Sequence, residues 1–338
     1  MPFDTPRDGV MPDPPFSGGA SIAILRAMTQ APQLVFDRTA VRRHRERVAE
    51  DFGNYDFLKV EVAERLADRL DDIKRSFPLA LDLGAHDGAL GRTLGARGGV
   101  ETLVQADMAA GMARRSQRGP SAVARRPAVV ADEEMLPFAE RGFDLVTSVF
   151  NLHWANDLPG ALLQINLALK PDGLFLGAML GGETLYELRT ALLTAEAELE
   201  GGAGPRISPM TPLQDGASLL QRAGFALPVA DVDRITVNYP SALKLMDDLR
   251  GMGESNALQD RRPYFSRRET LLYAAELYAE MYGNAEGQIP ASFDVMFFTA
   301  WRPAANQPQP LRPGSAKARL ADALGTEEIG TGVKPGET

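Results

Sequence analysis

An apolar run that ends on an acidic residue and a glycine carries the first chemical signal in this chain. The run begins at Leu79 and ends on Asp82 and Gly84, and Gly88 follows where a helix is predicted to begin. Glycines let a ligand approach the backbone, and the N–H groups at a helix start point toward it. The dinucleotide fingerprint G-x-G-x-x-G is incomplete, because His86 stands where a glycine is expected. The turn therefore predicts a nucleotide-like ligand without specifying its type.

Two further predicted strands also end on acidic residues. Residues 101–106 lead to Asp107, and residues 128–131 lead to an acidic run that begins at Asp132. Asp107 follows the first acid at close to the roughly 20 residues typical of a ribose-binding carboxylate. One Asp after a strand is most often a helix cap. Acids at the ends of successive strands can instead accept hydrogen bonds from ribose hydroxyls and an exocyclic amine. The sequence has no G-x-x-x-x-G-K-[ST] loop for a triphosphate, so the pattern favours S-adenosylmethionine.

The elements that must position these acids alternate between strands and helices. A fourth predicted strand, residues 143–150, is β-branched and aromatic and ends at Asn151. A fifth is predicted around residues 174–180, and helical stretches lie between the strands. Such alternation indicates a doubly wound α/β sheet of parallel strands, which binds ligands at the carboxyl ends of its strands.

Taken in order, these motifs resemble those of class I methyltransferases. The matching segments are residues 82–88, 107, 132–138 and 169–173. The resemblance implies an α/β, Rossmann-like, mostly parallel seven-stranded sheet with an antiparallel last strand and a helical insertion before it. It also implies S-adenosyl-L-methionine as cofactor. The chain departs from the family at Ala85-His86, where a small residue and then Gly are usual. The predicted cofactor-binding residues are Asp82, Gly84, Ala85, His86, Gly88, Asp107, Met108, Asp132, Glu133, Met135 and Asn151.

A narrower resemblance covers more of the chain. Residues 153–159, 181–189 and 245–256, the last containing Gly-Met-Gly-Glu-Ser-Asn, are similar to a mitochondrial complex I assembly-factor family with bacterial relatives. The match runs from about residue 36 to residue 301. The resemblance implies a methyltransferase-fold protein-arginine hydroxylase, which acts on an iron–sulfur subunit of the NADH–ubiquinone oxidoreductase. That protein substrate is the expected partner.

The candidate catalytic residues follow the fourth strand. His153 and Trp154 lie where a base is needed if the nucleophile must lose a proton, although His153 could also simply orient a loop. An arginine substrate calls for carboxylates and aromatic faces. The predicted substrate-binding residues are Glu183, Tyr186, Tyr239 and Glu254.

Hydroxylation makes a further demand, because dioxygen activation usually needs a metal or an organic redox cofactor. The chain has three histidines, at 44, 86 and 153, and no cysteine, which excludes thiolate zinc sites and cysteine-ligated clusters. A two-His-one-carboxylate site could use only His86 and His153, with Asp82 or Asp132. We predict no metal site.

Global properties indicate a cytoplasmic enzyme. The net charge of −9 argues against general binding of nucleic acid. No apolar stretch approaches the roughly 20 residues of a membrane span, so we expect at most peripheral association with a membrane through the complex. Residues 1–33 contain acids and lack the character of a presequence or signal peptide.

The predicted organisation is one folded domain between two disordered tails, residues 1–33 and 302–338, rich in Pro and Gly. Within residues 34–301 we expect a helical lid at 37–75, a sheet core at 79–237, a helical insertion at 238–290 and a final strand at 291–301. The first helix, residues 38–50, carries five arginines, which form either a solvated face or a cover over the cofactor.

Three functions remain open from the sequence. The first is a protein-arginine hydroxylase that assists complex I assembly. The second is a methyltransferase that acts on a protein or on a small carboxylic acid, as in biotin synthesis. The third is a non-catalytic scaffold for an assembly intermediate, which His86 in the glycine turn favours.

Overall fold

The computed structural model describes residues 34–305, 307 and 325–326 of the chain. Most of the two predicted tails therefore lies outside the described residues. Seven strands form one sheet in the order β3-β2-β1-β4-β5-β7-β6. Their bounds are β1 Leu79–Leu83, β2 Thr102–Asp107, β3 Ala128–Val130, β4 Phe143–Val149, β5 Leu169–Gly181, β6 Ala226–Tyr239 and β7 Ile289–Trp301.

The predicted fold class is confirmed by this topology. Strands β1 to β5 pair in parallel, and β7 is antiparallel to both β5 and β6. The strand order reverses between β1 and β4, so their carboxyl ends open a crevice for a ligand. Asp82 and Gly84 lie at this switch point, next to Asn151, and Asp107 ends the neighbouring strand.

Helices cover both faces of the sheet. Their bounds are α1 Arg38–Val48, α2 Phe57–Asp68, α3 Ala89–Thr93, α4 Ala110–Ser116, α5 Leu158–Ala168, α6 Tyr186–Glu200, α7 Leu213–Arg222, α8 Ala242–Gly251 and α9 Arg268–Tyr282. None of the helices in the described part of the chain is long and apolar enough to span a bilayer.

The central strands are buried on both faces, which explains why they are nearly continuous apolar runs. One core layer contains Leu66 of α2 and Leu176 of β5, and the opposite layer contains Leu81 of β1 and Ile165 of α5. Each is fully buried. This packing fixes the strand ends that carry the acids.

The insertion between the last two strands is shorter than predicted. In the register of β6 and β7, Tyr239 pairs with Ile289 and Asn238 pairs with Pro290. These two pairs extend the ladder into residues expected to belong to a helical insertion at 238–290. The helical part between them consists of α8 and α9.

The first two helices also end earlier than predicted. Asp37 caps α1 by accepting a hydrogen bond from the N–H of Ala40, and α1 ends at Val48 rather than at residue 50. Helix α2 ends at Asp68, short of residue 75, where the predicted helical lid ends. Its apolar period stops at Leu70, so a further turn would have little apolar surface to bury.

Candidate functional site

The turn after β1 brings the backbone very close to its neighbour at the end of β4. Gly84 has φ +73°, and a Cβ at this position would lie 2.3 Å from the side chain of Asn151. The N–H groups of Gly84 and Ala85 donate to the carbonyl of Ala106. Gly88, at φ +81°, begins α3. Both predicted glycines are therefore required by the geometry of the turn.

Asp82 is a buried carboxylate at the centre of this turn. Thr147 Oγ1 lies 3.4 Å from its Oδ1, and Oδ2 has no hydrogen-bond partner among the described residues. Burial raises the pKa of Asp82 to about 6, although the ammonium of Lys59 acts to lower it. A buried carboxylate oxygen without a donor is costly, so Oδ2 is available for a cationic ligand group.

Asp107 is held in place by backbone donors. Its two oxygens accept the N–H groups of His86, at 3.0 Å, and Ala109, at 2.9 Å. Each carboxylate oxygen can accept a second hydrogen bond. Asp107 can therefore bind ligand hydroxyls without rearranging, as predicted for a ribose.

Arg45 reaches into the same crevice from α1. Its side chain is 1% exposed, its Nη1 donates to Asn151 Oδ1 at 2.7 Å, and the same atom lies 3.8 Å from Asp107. Arg45 Nη2 and Asn151 Nδ2 are buried donors without partners in the described chain. Together with Asp82 Oδ2 they provide two donors and one acceptor. This set suits the carboxylate and ammonium of an amino-acid ligand, such as the methionine part of S-adenosylmethionine.

Beyond Asp107 a cavity of about 310 Å³ opens toward solvent. Met108 and Val130 supply apolar walls, and Asp132 lies at the rim. Arg38 of α1 binds Asp132 at 2.7 Å and the buried Glu133 at 2.5 Å. The cavity combines apolar contact with a carboxylate, as an adenine base with its amine requires. Predicted Met135 is 77% exposed and does not line it.

His86 turns into the protein. At φ +50° it adopts the left-handed conformation that glycine favours. Its Nδ1 lies 2.7 Å from the carbonyl of Gly84 and 2.9 Å from Lys59 Nζ. Burial, with the cations Lys59 and Arg45, lowers its pKa well below the ordinary value. A neutral imidazole has one N–H, so Nδ1 either donates to Gly84 or accepts from Lys59.

Lys59 of α2 joins the ends of two strands. Its ammonium donates to the carbonyls of Gly84, at 3.1 Å, and Val149, at 2.6 Å. Burial lowers its pKa to about 8, although the carboxylates of Asp82 and Asp87 act to raise it. This lysine therefore ties the helical cover to the glycine turn.

A second, closed cavity of about 30 Å³ lies on the other side of His86. Its polar lining consists of Lys59, His86 and Glu254, and the other lining side chains are aromatic or aliphatic, including Phe150 and Phe293. At least about 10–15 Å³ is needed to hold one water molecule. The cavity is thus a small enclosed space at the carboxyl ends of the strands, where an acceptor group would lie.

Glu254 organises the residues that follow β4. Its Oε2 is 3.1 Å from both His153 Nε2 and Trp154 Nε1. Burial would raise the pKa of Glu254, but His153, Arg45 and Trp154 together hold it below its ordinary value. With Nε2 directed at Glu254, the buried Nδ1 of His153 is left without a partner in the described residues. Nδ1 of His153 is therefore available for a hydrogen bond with a ligand.

The structure does not bring the predicted substrate residues together. Glu254 lines the closed cavity, whereas Glu183 is exposed after β5. Tyr186 packs edge-to-face against Tyr282. Tyr239 is buried, and its hydroxyl, whose pKa burial and Asp248 raise to about 12, has no partner in the described chain.

Three cations at the site were missed or left ambiguous by sequence reasoning. Arg38 and Arg45 share one face of α1 with Val41 and Val48, and Lys59 lies on the buried face of α2. Charged residues in an apolar helical stripe were the signal, because they must find buried partners. Of the five arginines of α1, Arg38 and Arg45 turn inward over the crevice, whereas Arg42, Arg43 and Arg47 are exposed.

No group of three or more His, Asp or Glu side chains in the described ranges is arranged to hold a metal. His86 contacts Lys59, and His153 contacts Glu254. The two histidines considered for an iron site therefore have other partners.

Comparison with known proteins assigns the chain to a family. Residues 81–177 match the family described as "Methyltransferase domain". The chain is 47% identical over 290 residues to "Arginine-hydroxylase NDUFAF5, mitochondrial" of Danio rerio, covering 85% of this chain and 89% of the relative. The Homo sapiens protein of the same name is 46% identical, with 85% and 83% covered.

A methyltransferase is a more distant relative. The "Malonyl-[acyl-carrier protein] O-methyltransferase" of Methylovorus sp. (strain MP688) is 32% identical over 301 residues, covering 87% of this chain and 99% of that protein. The identity is thus higher to the hydroxylases than to this enzyme. The chain belongs to the arginine-hydroxylase NDUFAF5 family, built on a class I methyltransferase fold.

Proposed function

We propose that this chain binds S-adenosylmethionine and hydroxylates an arginine of a protein substrate. The proposed substrate is an iron–sulfur subunit of respiratory complex I, which is modified while the complex assembles. One observation carries the choice of reaction: relatives named arginine-hydroxylase share 46–47% identity over 85% of the chain. The second candidate, methyl transfer to a carboxylic acid, has the support of a relative at 32% identity.

The crevice supports the cofactor. Arg45 Nη2 and Asn151 Nδ2 can donate to its carboxylate, and Asp82 Oδ2 can accept from its ammonium. Asp107 is available to the ribose hydroxyls, and Asp132 borders the cavity for the base. When bound, S-adenosylmethionine would supply an activated methyl group, which methyl transfer would use. Hydroxylation would instead require dioxygen and an external two-electron reductant, because the described side chains supply no oxidant.

Glu254 supports the substrate assignment. Both of its hydrogen bonds, to His153 and Trp154, use Oε2. In the described chain no hydrogen bond engages Oε1, so this oxygen can accept a hydrogen bond from a substrate guanidinium once the cavity has widened to admit it. His153 Nδ1, held in position by the contact through Nε2, can exchange a proton beside it.

The test is peptide mass spectrometry of the complex I iron–sulfur subunit. The subunit is purified from cells that lack the gene and from cells complemented with the wild-type chain or with the Asp107→Ala variant. We expect the mass of one oxygen on an arginine only with the wild-type chain. The addition of a methyl group would instead support the methyltransferase candidate. An unchanged mass would refute this substrate and favour a scaffold.

A direct binding measurement separates the cofactor from the reaction. We expect isothermal titration calorimetry of the purified chain to detect S-adenosylmethionine, and Asp107→Ala to weaken it roughly tenfold or more through a lost charged hydrogen bond. Absence of binding to the wild-type chain would refute the cofactor assignment.

A further inference from the structure

A groove of about 580 Å³ lies on the outer side of the two segments that build the reaction site. Arg47 lines it from α1, two residues after Arg45, and Ser255 lines it directly after Glu254. Its size is within the roughly 300–1,000 Å³ typical of ligand sites. Glu254, which lines the closed cavity, and Ser255, which lines the groove, are therefore neighbours in the chain.

The groove is cationic. Arg206 and Arg262 pair with Glu196, and Arg261 pairs with Asp37, so these three charges are largely neutralised within the protein. Arg47 and Arg250 also line the groove. Neither has a carboxylate within 4.0 Å in the portion of the chain that is described, and no Asp or Glu from that portion lines the groove.

The positive charges of Arg47 and Arg250, which have no carboxylate partner in the described chain, repel each other. Burial and Arg250 both lower the pKa of Arg47, and burial with Arg47 and Arg261 lowers that of His44. In both groups burial is the larger cause of the lowered pKa and the neighbouring cations add to it, which agrees with a local surplus of positive charge. The chain as a whole carries −9, so the surplus is local rather than part of a broad basic surface.

Aromatic side chains border the same groove. Tyr264 is 66% exposed and Phe265 is 100% exposed. Exposed aromatic residues beside arginines are typical of residues that dominate protein interfaces. A short, local patch of this kind suits an acidic peptide with apolar residues better than a nucleic acid, which needs a longer cationic track.

We infer that this groove docks an acidic segment of the protein substrate, which presents the neighbouring arginine to the reaction site. The inference rests on the proposed function for the identity of the substrate. Carboxylates of the segment pair with Arg47 and Arg250, and its apolar side chains pack against Phe265. The enzyme thus recognises a charge pattern around the target arginine in addition to the arginine itself.

The binding test uses the full chain and a fluorescein-labelled synthetic peptide of alternating glutamate and leucine, followed by fluorescence anisotropy at low ionic strength. We expect the double variant Arg47→Glu/Arg250→Glu to weaken binding about tenfold or more. The matched control Lys74→Glu/Arg222→Glu makes the same change in net charge at exposed positions outside the groove. It should change the affinity less than twofold.

An equal loss of peptide affinity in the groove variant and the control variant would overturn the proposal. It would also be overturned if the wild-type chain bound a single-stranded RNA probe more tightly than the peptide and the groove variant abolished that binding. The iron–sulfur subunit gives a second readout. We expect the groove variant to raise KM with kcat unchanged. If peptide binding depends on the groove but no arginine is modified by the wild-type chain, the docking surface stands and the proposed reaction fails. If arginine modification proceeds with unchanged KM in the variant, the docking surface fails and the reaction stands.

Discussion

The ionisation of Asp82 should control cofactor affinity at mildly acidic pH. Burial raises the pKa of this carboxyl to about 6, and only the ionised form can pair with the ammonium of S-adenosylmethionine. If the protonated form does not bind, the apparent Kd is multiplied by one plus the ratio of protonated to ionised Asp82. This predicts about tenfold weaker binding at pH 5 than at pH 7, or about 1.4 kcal/mol.

Isothermal titration calorimetry between pH 5 and 7 provides the assay, because the ammonium of the ligand keeps its proton over this range. The Asp82→Asn variant should bind more weakly at pH 7, by roughly tenfold or more, and should lose the dependence on pH. The control is Asp87→Asn. Asp87 is similarly buried, but it pairs with Arg92 at 2.7 Å. Because its charge is one of the smaller causes that raise the pKa of Asp82, Asp87→Asn should keep the dependence on pH with a somewhat smaller ratio.

Two results would refute this reasoning. One is an affinity of the wild-type chain that stays constant from pH 7 to pH 5. The other is the same tenfold ratio in Asp82→Asn, which would assign the titration to another group. Circular dichroism at pH 5 verifies that each variant remains folded.

Three further predictions concern stability and turnover. Burial lowers the pKa of Lys59 to about 8, from an ordinary value of 10.5, so between these pH values the folded chain binds fewer protons than the unfolded chain. The free energy of unfolding should therefore rise by up to about 3 kcal/mol from pH 8 to 10.5 relative to Lys59→Met, as measured by urea denaturation; parallel curves would contradict this. Gly84→Ala should lower the free energy of unfolding by roughly 2 kcal/mol or more, since a Cβ would lie 2.3 Å from a side chain. The control is Gly201→Ala, at φ +68° with nothing within 4 Å of the added Cβ, which should cost only about 1 kcal/mol. Equal losses of stability in the two variants would show that the contact between residue 84 and Asn151 is unimportant. Glu254→Gln should lower kcat/KM for arginine modification roughly tenfold or more while leaving the Kd of the cofactor unchanged; a weakened cofactor would instead place Glu254 in the cofactor site.

The sequence was sufficient to predict the positions of the acids along the sheet. Asp82 and Asp107 end parallel strands, and that placement follows from the alternation of elements without any knowledge of tertiary contacts. The reversed last strand came from the family resemblance. The lengths of α1 and α2 were overestimated, because helix ends depend on caps and on the extent of the buried face.

The buried cations were harder to predict. Arg38 and Arg45 belong to a run of arginines whose ordinary environment is solvent. Their spacing with Val41 and Val48 marks them as candidates for the buried face, but only the packing of α1 over the crevice decides which partners they meet, and packing is not local information. The same limit applies to Tyr186, whose partner Tyr282 is distant in the chain. Tyr239 is buried as part of the β6–β7 ladder, beyond the predicted end of the sheet core.

The attachment of α1 by two buried or half-buried arginines has a kinetic consequence. Arg38 joins the helix to the acidic run after β3, and Arg45 joins it to the end of β4. The cavity beside Met108 opens toward solvent, whereas the part of the crevice beside Arg45 is buried, so a ligand group bound at Arg45 should exchange only as fast as these contacts break. Arg47 of the same helix lines the outer groove. A protein docked there, as inferred above, should hold the helix down and slow this exchange, so we expect the small molecule to load before the protein and to leave after it.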